Sequence, residues 1–134
     1  MVEWDAKETA LVIVDMWNKH WCASASTRVE GLALPMQQYV TAMRNLGVTI
    51  IWAPSDVTAF YRNTAARNNT LALPKRPLPT TKPLPIPPFP LSTSTDGGCD
   101  LTCKSGQPQT RQIATLQIAP TDFLVTSDVK PDPP

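Results

Sequence analysis

The proline-rich stretch between residues 74 and 90 is the feature that most limits what this chain can fold into. Eight of its 17 residues are proline, in "PKRPLPTTKPLPIPPFP". Proline lacks the N–H that a helix or an interior strand must donate, so the stretch predicts an extended, largely polyproline II segment on the surface. The 134 residues are enough for one domain. We therefore expect a single domain over residues 1–134, with 74–90 as an insertion.

Charge and composition argue against several classes of partner. Twelve basic and eleven acidic side chains nearly cancel, so neither nucleic acid nor an anionic membrane surface is expected as a partner. The N-terminus, "MVEWDAKE", carries acids where a secretory signal carries basic residues, and no apolar run approaches the roughly 18 residues that span a bilayer. Three cysteines, an odd number, predict unpaired thiols in a reducing compartment. The expected location is cytoplasmic.

Two short apolar runs predict parallel strands. Residues 11–14 of "ALVIVD" are dense in β-branched side chains and predict a strand buried on both faces. Residues 48–53, "VTIIWA", predict a second strand, and Gly47 is expected to end the helix between them. A strand, a helix and a strand in this order favour a parallel βαβ unit. The apolar helix face is expected to contain Leu32, Met36, Tyr39, Val40, Met43 and Leu46.

The start of this helix has two interpretations. Thr27 could be the N-cap, with Glu30 completing a capping box. Pro35 is awkward in a helix interior, so the regular helix could instead begin there. Further along, a short helix is expected around Thr58–Arg67, and a third strand in "TDFLVTSD", residues 121–128. Three strands and one strong helix make a thin domain, because an α/β sheet is normally covered on both faces.

Asp15 lies where the first predicted strand ends. In open α/β sheets, ligands bind beyond the carboxyl ends of the strands, so Asp15 is either a site residue or a cap for the next element. Trp17 and Trp21 either line a pocket there or close the core. Four soft ligands could converge nearby, but their spacings match a zinc site only loosely, so no metal is expected. These are His20, Cys22, Cys99 and Cys103.

Three stretches together resemble a known family. The segments "ALVIVDMWNKHWC", "MRNLGVTIIWAPSD" and "TRQIATLQIAPTDFLVTSD" are similar in order to the isochorismatase-like cysteine hydrolases, which include nicotinamidases and N-carbamoyl amide hydrolases. The resemblance covers roughly residues 8–70 and 94–128. It implies a three-layer, Rossmann-like α/β fold with a mostly parallel sheet, truncated here after the third strand.

The family's chemistry uses an aspartate, a lysine and a cysteine thiolate that attacks a carbonyl or imine carbon. The resemblance matches Asp15 to the aspartate. The lysine position falls near Thr126 or Ser127, and Lys130 is a poor match. The nucleophilic cysteine follows a fourth strand that this chain does not contain. Metal-binding nicotinamidases carry an acid and histidines after the second strand, but Asp56 has no neighbouring histidine, so neither metal nor cofactor is expected.

The resemblance leaves two functional hypotheses. One is a fragment of a hydrolase for amide-like or vinyl-ether small molecules, inactive as this chain alone, with Asp15, Trp17 and Trp21 at its substrate site. The alternative is a non-catalytic remnant that binds a small molecule or a protein. In the family's strand order, loss of the fourth strand leaves one side of the uncharged "ALVIV" strand unpaired, which predicts self-association.

Overall fold

The fold is mixed α/β in a computed structural model that describes residues 3–77, 80, 82 and 106–126. The prediction of polyproline II over 74–90 falls largely outside these residues, as do Cys99, Cys103, Ser127 and Lys130. The elements are a 3-10 turn (Ala6–Glu8), β1 (Ala10–Val14), α1 (Ala23–Asn45), β2 (Thr49–Ala53), α2 (Thr58–Tyr61), α3 (Ala65–Leu71) and β3 (Phe123–Leu124).

A parallel sheet of three strands organises the described residues. The strand order is β1-β2-β3, with Val12 beside Ile51 and Ile51 beside Phe123. Strands β1 and β2, which α1 connects, are therefore parallel, as the sequence predicts. Ile13, Trp52 and Leu124 point to the same face, and all three are buried. This face carries the main core.

Helix α1 covers that face with half of the predicted side chains, because Val40 is buried and Met36 and Met43 pack against the core. Leu32, Tyr39 and Leu46 are 52–65% exposed, so assigning them to the core was wrong. The stripe that faces the sheet keeps the other three predicted residues and adds Val29 and Ala33. The side chains of this stripe are Val29, Ala33, Met36, Val40 and Met43.

Both interpretations of the start of α1 are wrong. The helix begins at Ala23, so Thr27 lies inside it, and its hydroxyl donates to the Ala23 carbonyl (3.4 Å). Pro35 lies in the helix interior. The carbonyl that Pro35 leaves without a donor belongs to Gly31, and both residues are exposed, so water can satisfy it. At the other end Gly47 adopts a φ of +90°, which confirms it as the residue that ends the helix.

Strand β1 is not buried on both faces. Val12 is 52% exposed and Val14 is 59% exposed, whereas Ile13 is buried. The prediction followed from the unbroken apolar run, which is typical of strands sandwiched between two helical layers. Among the described residues a helix packs on only one side of this strand, so alternate side chains of the run face outward.

The opposite edge of the sheet is closed by α3. The Thr70 hydroxyl accepts from the Leu124 N–H (2.9 Å), and the Arg67 guanidinium donates to the Leu124 carbonyl (3.3 Å). The single helix expected over Thr58–Arg67 is in fact two short helices, because Thr64 caps a new one by accepting from the Arg67 N–H. Side chains of α3 thus replace the missing neighbour strand of β3.

A buried ion pair fixes the start of β3 to α1. Asp122 is buried, and its two carboxylate oxygens accept from Nε (2.9 Å) and Nη2 (2.6 Å) of Arg44. The Trp52 indole N–H (2.8 Å) and the Ala119 N–H (2.8 Å) donate to Oδ2 of the same carboxylate. One side chain therefore joins a helix, the central strand and the loop before β3. Among the described residues, no helix combines the length and the hydropathy that crossing a bilayer requires.

The Tyr61 hydroxyl should make stability fall at high pH. Burial raises the pKa of Tyr61 above 10.0, opposed in part by the Gln112 N–H and the positive charge of Arg111. The stabilisation that the neutral Tyr61 hydroxyl provides is therefore complete below about pH 10. It is lost as the pH rises through the higher pKa of the folded state. We expect Tyr61→Phe to be less stable at pH 8, because the Gln112 N–H (2.9 Å from the hydroxyl) loses its acceptor, but to show a smaller loss from pH 8 to 10.5.

Urea unfolding at both pH values measures these losses. Tyr39→Phe removes the only other tyrosine hydroxyl, which is on an exposed side chain, and should keep the wild-type decline. An equal decline in Tyr61→Phe and the wild type would contradict the prediction.

Candidate functional site

Polar residues follow all three strands at the carboxyl edge of the sheet. Asp15 follows β1, Ser55 and Asp56 follow β2 after Pro54, and Thr126 lies two residues beyond β3. The strands are parallel, so these ends lie side by side. This is the edge at which open α/β sheets bind ligands.

Asp15 is held in an unusual conformation. Its φ of +51° lies in the left-handed region, where aspartate is tolerated better than most residues. Its Oδ1 accepts from the Ser55 N–H (2.9 Å), so the carboxylate links the ends of β1 and β2. Within the described residues Oδ2 has no hydrogen-bond partner, and the residue is half-buried. The Asp15 carboxylate therefore bonds to the residue that follows Pro54 beyond β2 and does not cap α1, whose N-cap is Cys22.

Asp56 is the second residue at this edge with a left-handed backbone, with a φ of +59°. It is exposed, and its Oδ2 accepts from the Gln109 side-chain amide (3.4 Å). Two such residues at adjacent strand ends are notable, because strained backbone clusters at binding and active sites. Thr126, near the position to which the resemblance assigns a lysine, is buried, and its hydroxyl lies 3.2 Å from that of Thr58.

Trp17 lies beside Asp15, and Trp21 does not. The Trp17 indole N–H donates to the Ser55 carbonyl (3.0 Å), the same residue whose N–H binds Asp15. The Trp17 ring stacks on His20 (5.6 Å between centroids), which in turn contacts Trp21 (5.0 Å). Trp21 is 46% exposed at the outer end of this row. The assignment of Trp17 and Trp21 to a substrate site stays a prediction.

The loop after β1 is clamped by a segment that is distant in sequence. Residues 106–113 run antiparallel to residues 16–21, with hydrogen bonds from the Asn18 N–H to the Arg111 carbonyl (2.9 Å) and from the Ile113 N–H to the Met16 carbonyl (2.8 Å). Gly106 approaches so closely that a Cβ there would collide with the carbonyl oxygens of His20 and Trp21. The clamp fixes the loop that carries the aromatic row.

The cysteine prediction needs a correction. Cys22 is buried and disulfide-bonded. Three unpaired thiols were therefore the wrong expectation, which rested on the odd number alone, since an odd number leaves room for one bridge. A disulfide sulfur is not a thiolate, so Cys22 can serve neither as a zinc ligand nor as a nucleophile in this state. The cysteine argument for a reducing compartment loses its basis.

Sequence reasoning located Asp15 but missed the groups that hold it. The Ser55 main chain binds both Asp15 and Trp17, and main-chain donors leave no trace in side-chain patterns. The clamp of residues 106–113 was also missed, because the polar sequence "GQPQTRQI" has no strand periodicity. Asn18 offered the one usable signal. An asparagine just after a strand suggests side-chain bonds to main chain, and its Oδ1 accepts from the Thr110 and Arg111 N–H groups (3.1 Å each).

The structure and the site define a mixed α/β domain with a parallel sheet and a polar carboxyl edge. No family model matches the chain, and no curated protein or solved structure matches it either.

Proposed function

We propose that this chain is part of an isochorismatase-like α/β hydrolase domain, in which Asp15 holds the acid/base position of the substrate site. The observation that carries the proposal is the state of Asp15. It follows the first strand directly, its backbone is left-handed, and the Ser55 N–H orients its carboxylate while Oδ2 is left for a ligand. The parallel order β1-β2-β3 is compatible with this class.

In this proposal the described residues bind and orient, and they do not complete the reaction. Oδ2 of Asp15 would accept either a proton or a hydrogen bond from an N–H of an amide-like substrate. Trp17, fixed by its bond to Ser55, would supply an apolar wall beside that oxygen. Covalent hydrolysis also needs a thiolate. Cys22 is disulfide-bonded and emerges from the loop after β1, so the chain alone is proposed to be inactive.

A binding assay with a turnover control tests this proposal. We expect nicotinamide or an N-carbamoyl amide to bind weakly, with amide chemical-shift changes around Ser55 in NMR titrations. Asp15→Asn tolerates the left-handed backbone and keeps an oxygen for the Ser55 N–H but removes the charge, so binding should fall about tenfold or more. Asp5→Asn, at an exposed acid that caps the 3-10 turn, is the matched control.

Two outcomes would count against the proposal. Equal binding by the wild type and Asp15→Asn would remove Asp15 from the site. Turnover of nicotinamide, a carbamoyl amide or isochorismate that disappears in Asp15→Asn would show that the chain is a complete enzyme, so the proposed inactivity would be wrong.

A second candidate function is a protein-binding module. The observation in its favour is the state of β1, which lies at one edge of the sheet formed by the described residues and has two half-exposed valines. Natural proteins normally protect such an edge with charges, bulges or a covering segment.

A further inference from the structure

Among the described residues, strand β1 has main-chain groups on its outer side that no other strand pairs. Its bonds to β2 use alternate residues, with the Thr9 carbonyl accepting from the Thr49 N–H (3.0 Å) and the Asp15 N–H donating to the Ala53 carbonyl (3.3 Å). In a parallel ladder this leaves the N–H and C=O groups of Ala10, Val12 and Val14 pointing away from β2. The outer side of β3 differs from that of β1, because side chains of α3 form hydrogen bonds with the N–H and the carbonyl of Leu124.

The surface beside this edge is apolar. A groove of about 320 Å³ lies between β1 and α1, with Trp4, Tyr39 and Leu46 among its lining residues. Their exposed fractions are 78%, 52% and 65%. Leu32 precedes Tyr39 by seven residues and is 55% exposed, so it continues the same stripe along the helix.

The same surface lacks charge. Strand β1 contains no charged residue, and neither does residues 31–43 of α1, "GLALPMQQYVTAM". Solvated helix faces normally carry acids and bases, whereas the centres of protein interfaces are depleted of them. Within β1 and residues 31–43, two copies of this surface therefore bring no like charges together.

We propose that β1 pairs antiparallel with β1 of a second copy of this chain, about a two-fold axis through Val12; this rests on the second candidate function. The strand is self-complementary in that register. Val12 faces its own copy and Ala10 faces Val14, so every outward N–H and C=O of the three residues finds a partner. A two-fold axis at position 11 or 13 would leave one of these residues unpaired. The sheet becomes continuous, and the exposed stripes of the two α1 helices face each other beside the axis.

Cross-linking tests the register. Directly opposed residues in an antiparallel hydrogen-bonded pair have Cα atoms about 5.5 Å apart, within the range of a disulfide. Val12→Cys should therefore form a disulfide-linked dimer by itself under mild oxidation. Ala10→Cys and Val14→Cys alone should each form no more linked dimer than the wild type, whose three native cysteines set the background, since the two copies of position 14 lie more than about 12 Å apart along the strands. Mixed together, these two variants should cross-link.

Sedimentation tests the association itself. At tens of micromolar we expect the wild type to be a dimer, and Val12→Lys to raise the dissociation constant at least about tenfold by opposing two like charges. Val125→Lys is the matched control, because Val125 is 47% exposed but lies beyond β3, away from the axis. It should remain dimeric. Circular dichroism of each variant reports folding, and the cysteine variants keep the test valid if Val12→Lys does not fold.

The outcomes separate this proposal from the others. A monomeric wild type, or cross-linking by Val14→Cys alone as efficient as by Val12→Cys, would overturn the β1–β1 dimer. Neither result bears on amide binding at Asp15, which has its own assay. A monomer that nevertheless captured an added peptide of the β1 sequence at this edge would overturn the second copy as occupant and preserve the binding-module function.

Discussion

Asp122→Asn is expected to lower the free energy of unfolding by about 3 kcal/mol, the lower end of the range for breaking a buried ion pair. The substitution keeps the size of the side chain but removes the charge that Arg44 neutralises. It also turns one acceptor oxygen into an NH2 group that faces donors, which leaves N–H groups of Trp52 or Ala119 unsatisfied. Arg44 is 24% exposed and can recover some hydration, which is why the lower end applies.

Urea unfolding followed by circular dichroism measures this loss. A domain of this size has about 5–15 kcal/mol of total stability, so the unfolding midpoint should fall clearly. Asp56→Asn is the matched control, since Asp56 is exposed and asparagine accepts its left-handed backbone. Its midpoint should change little. If Asp122→Asn unfolded at the wild-type midpoint, the ion pair would not hold β3 to α1.

Gly106→Ala should release the clamp over the loop after β1, at a cost of about 2 kcal/mol. The added Cβ would collide with main-chain oxygens of His20 and Trp21, and main chain cannot rotate away as a side chain can. Relief requires the segment to withdraw. Withdrawal breaks the bonds from the Gly106 N–H to the Trp21 carbonyl (2.9 Å) and from the Gln107 N–H to the His20 carbonyl (3.0 Å), each worth about 1 kcal/mol.

Gly31→Ala is the opposite control. Gly31 lies in α1 with nothing within 4 Å of an added Cβ, so alanine there should raise stability by about 0.5–1 kcal/mol. Hydrogen exchange distinguishes a local from a global effect. The Asn18 and Ile113 amides, which bond across the clamp, should lose protection in Gly106→Ala more than the amides of β2 do. Unchanged protection at Asn18 and Ile113 would mean that the clamp tolerates the added atom.

The sequence predictions that the structure confirms rest on local patterns in the sequence. The β-branched runs in β1 and β2 are short-range signals, and so is the glycine that ends α1 at Gly47. The position of Asp15 directly after β1 was predicted for the same reason, because the end of an apolar run marks the carboxyl edge of a sheet. These features depend on residues within a few positions of one another.

Predictions failed where partners distant in sequence decide the outcome. Leu32, Tyr39 and Leu46 have helical spacing, but the sheet meets a neighbouring stripe of α1, and spacing alone cannot say which of two overlapping stripes wins. Cys22 joined a disulfide that an odd cysteine count does not reveal. The start of α1 was missed because Cys22, its N-cap, makes no side-chain capping bond.

The sequence by itself determined strands β1 and β2, the end of α1, and that Asp15 follows the first strand, because hydrophobic period and turn residues act locally. Only the tertiary structure decided which apolar side chains are buried, how β3 is fixed through Arg44 and Asp122, and that residues 106–113 clamp the loop beside Asp15. The last two outcomes depend on contacts between residues more than 70 positions apart, such as Arg44 and Asp122 or Asn18 and Arg111. Packing and hydrogen bonding across the whole fold select them, and no local propensity records them.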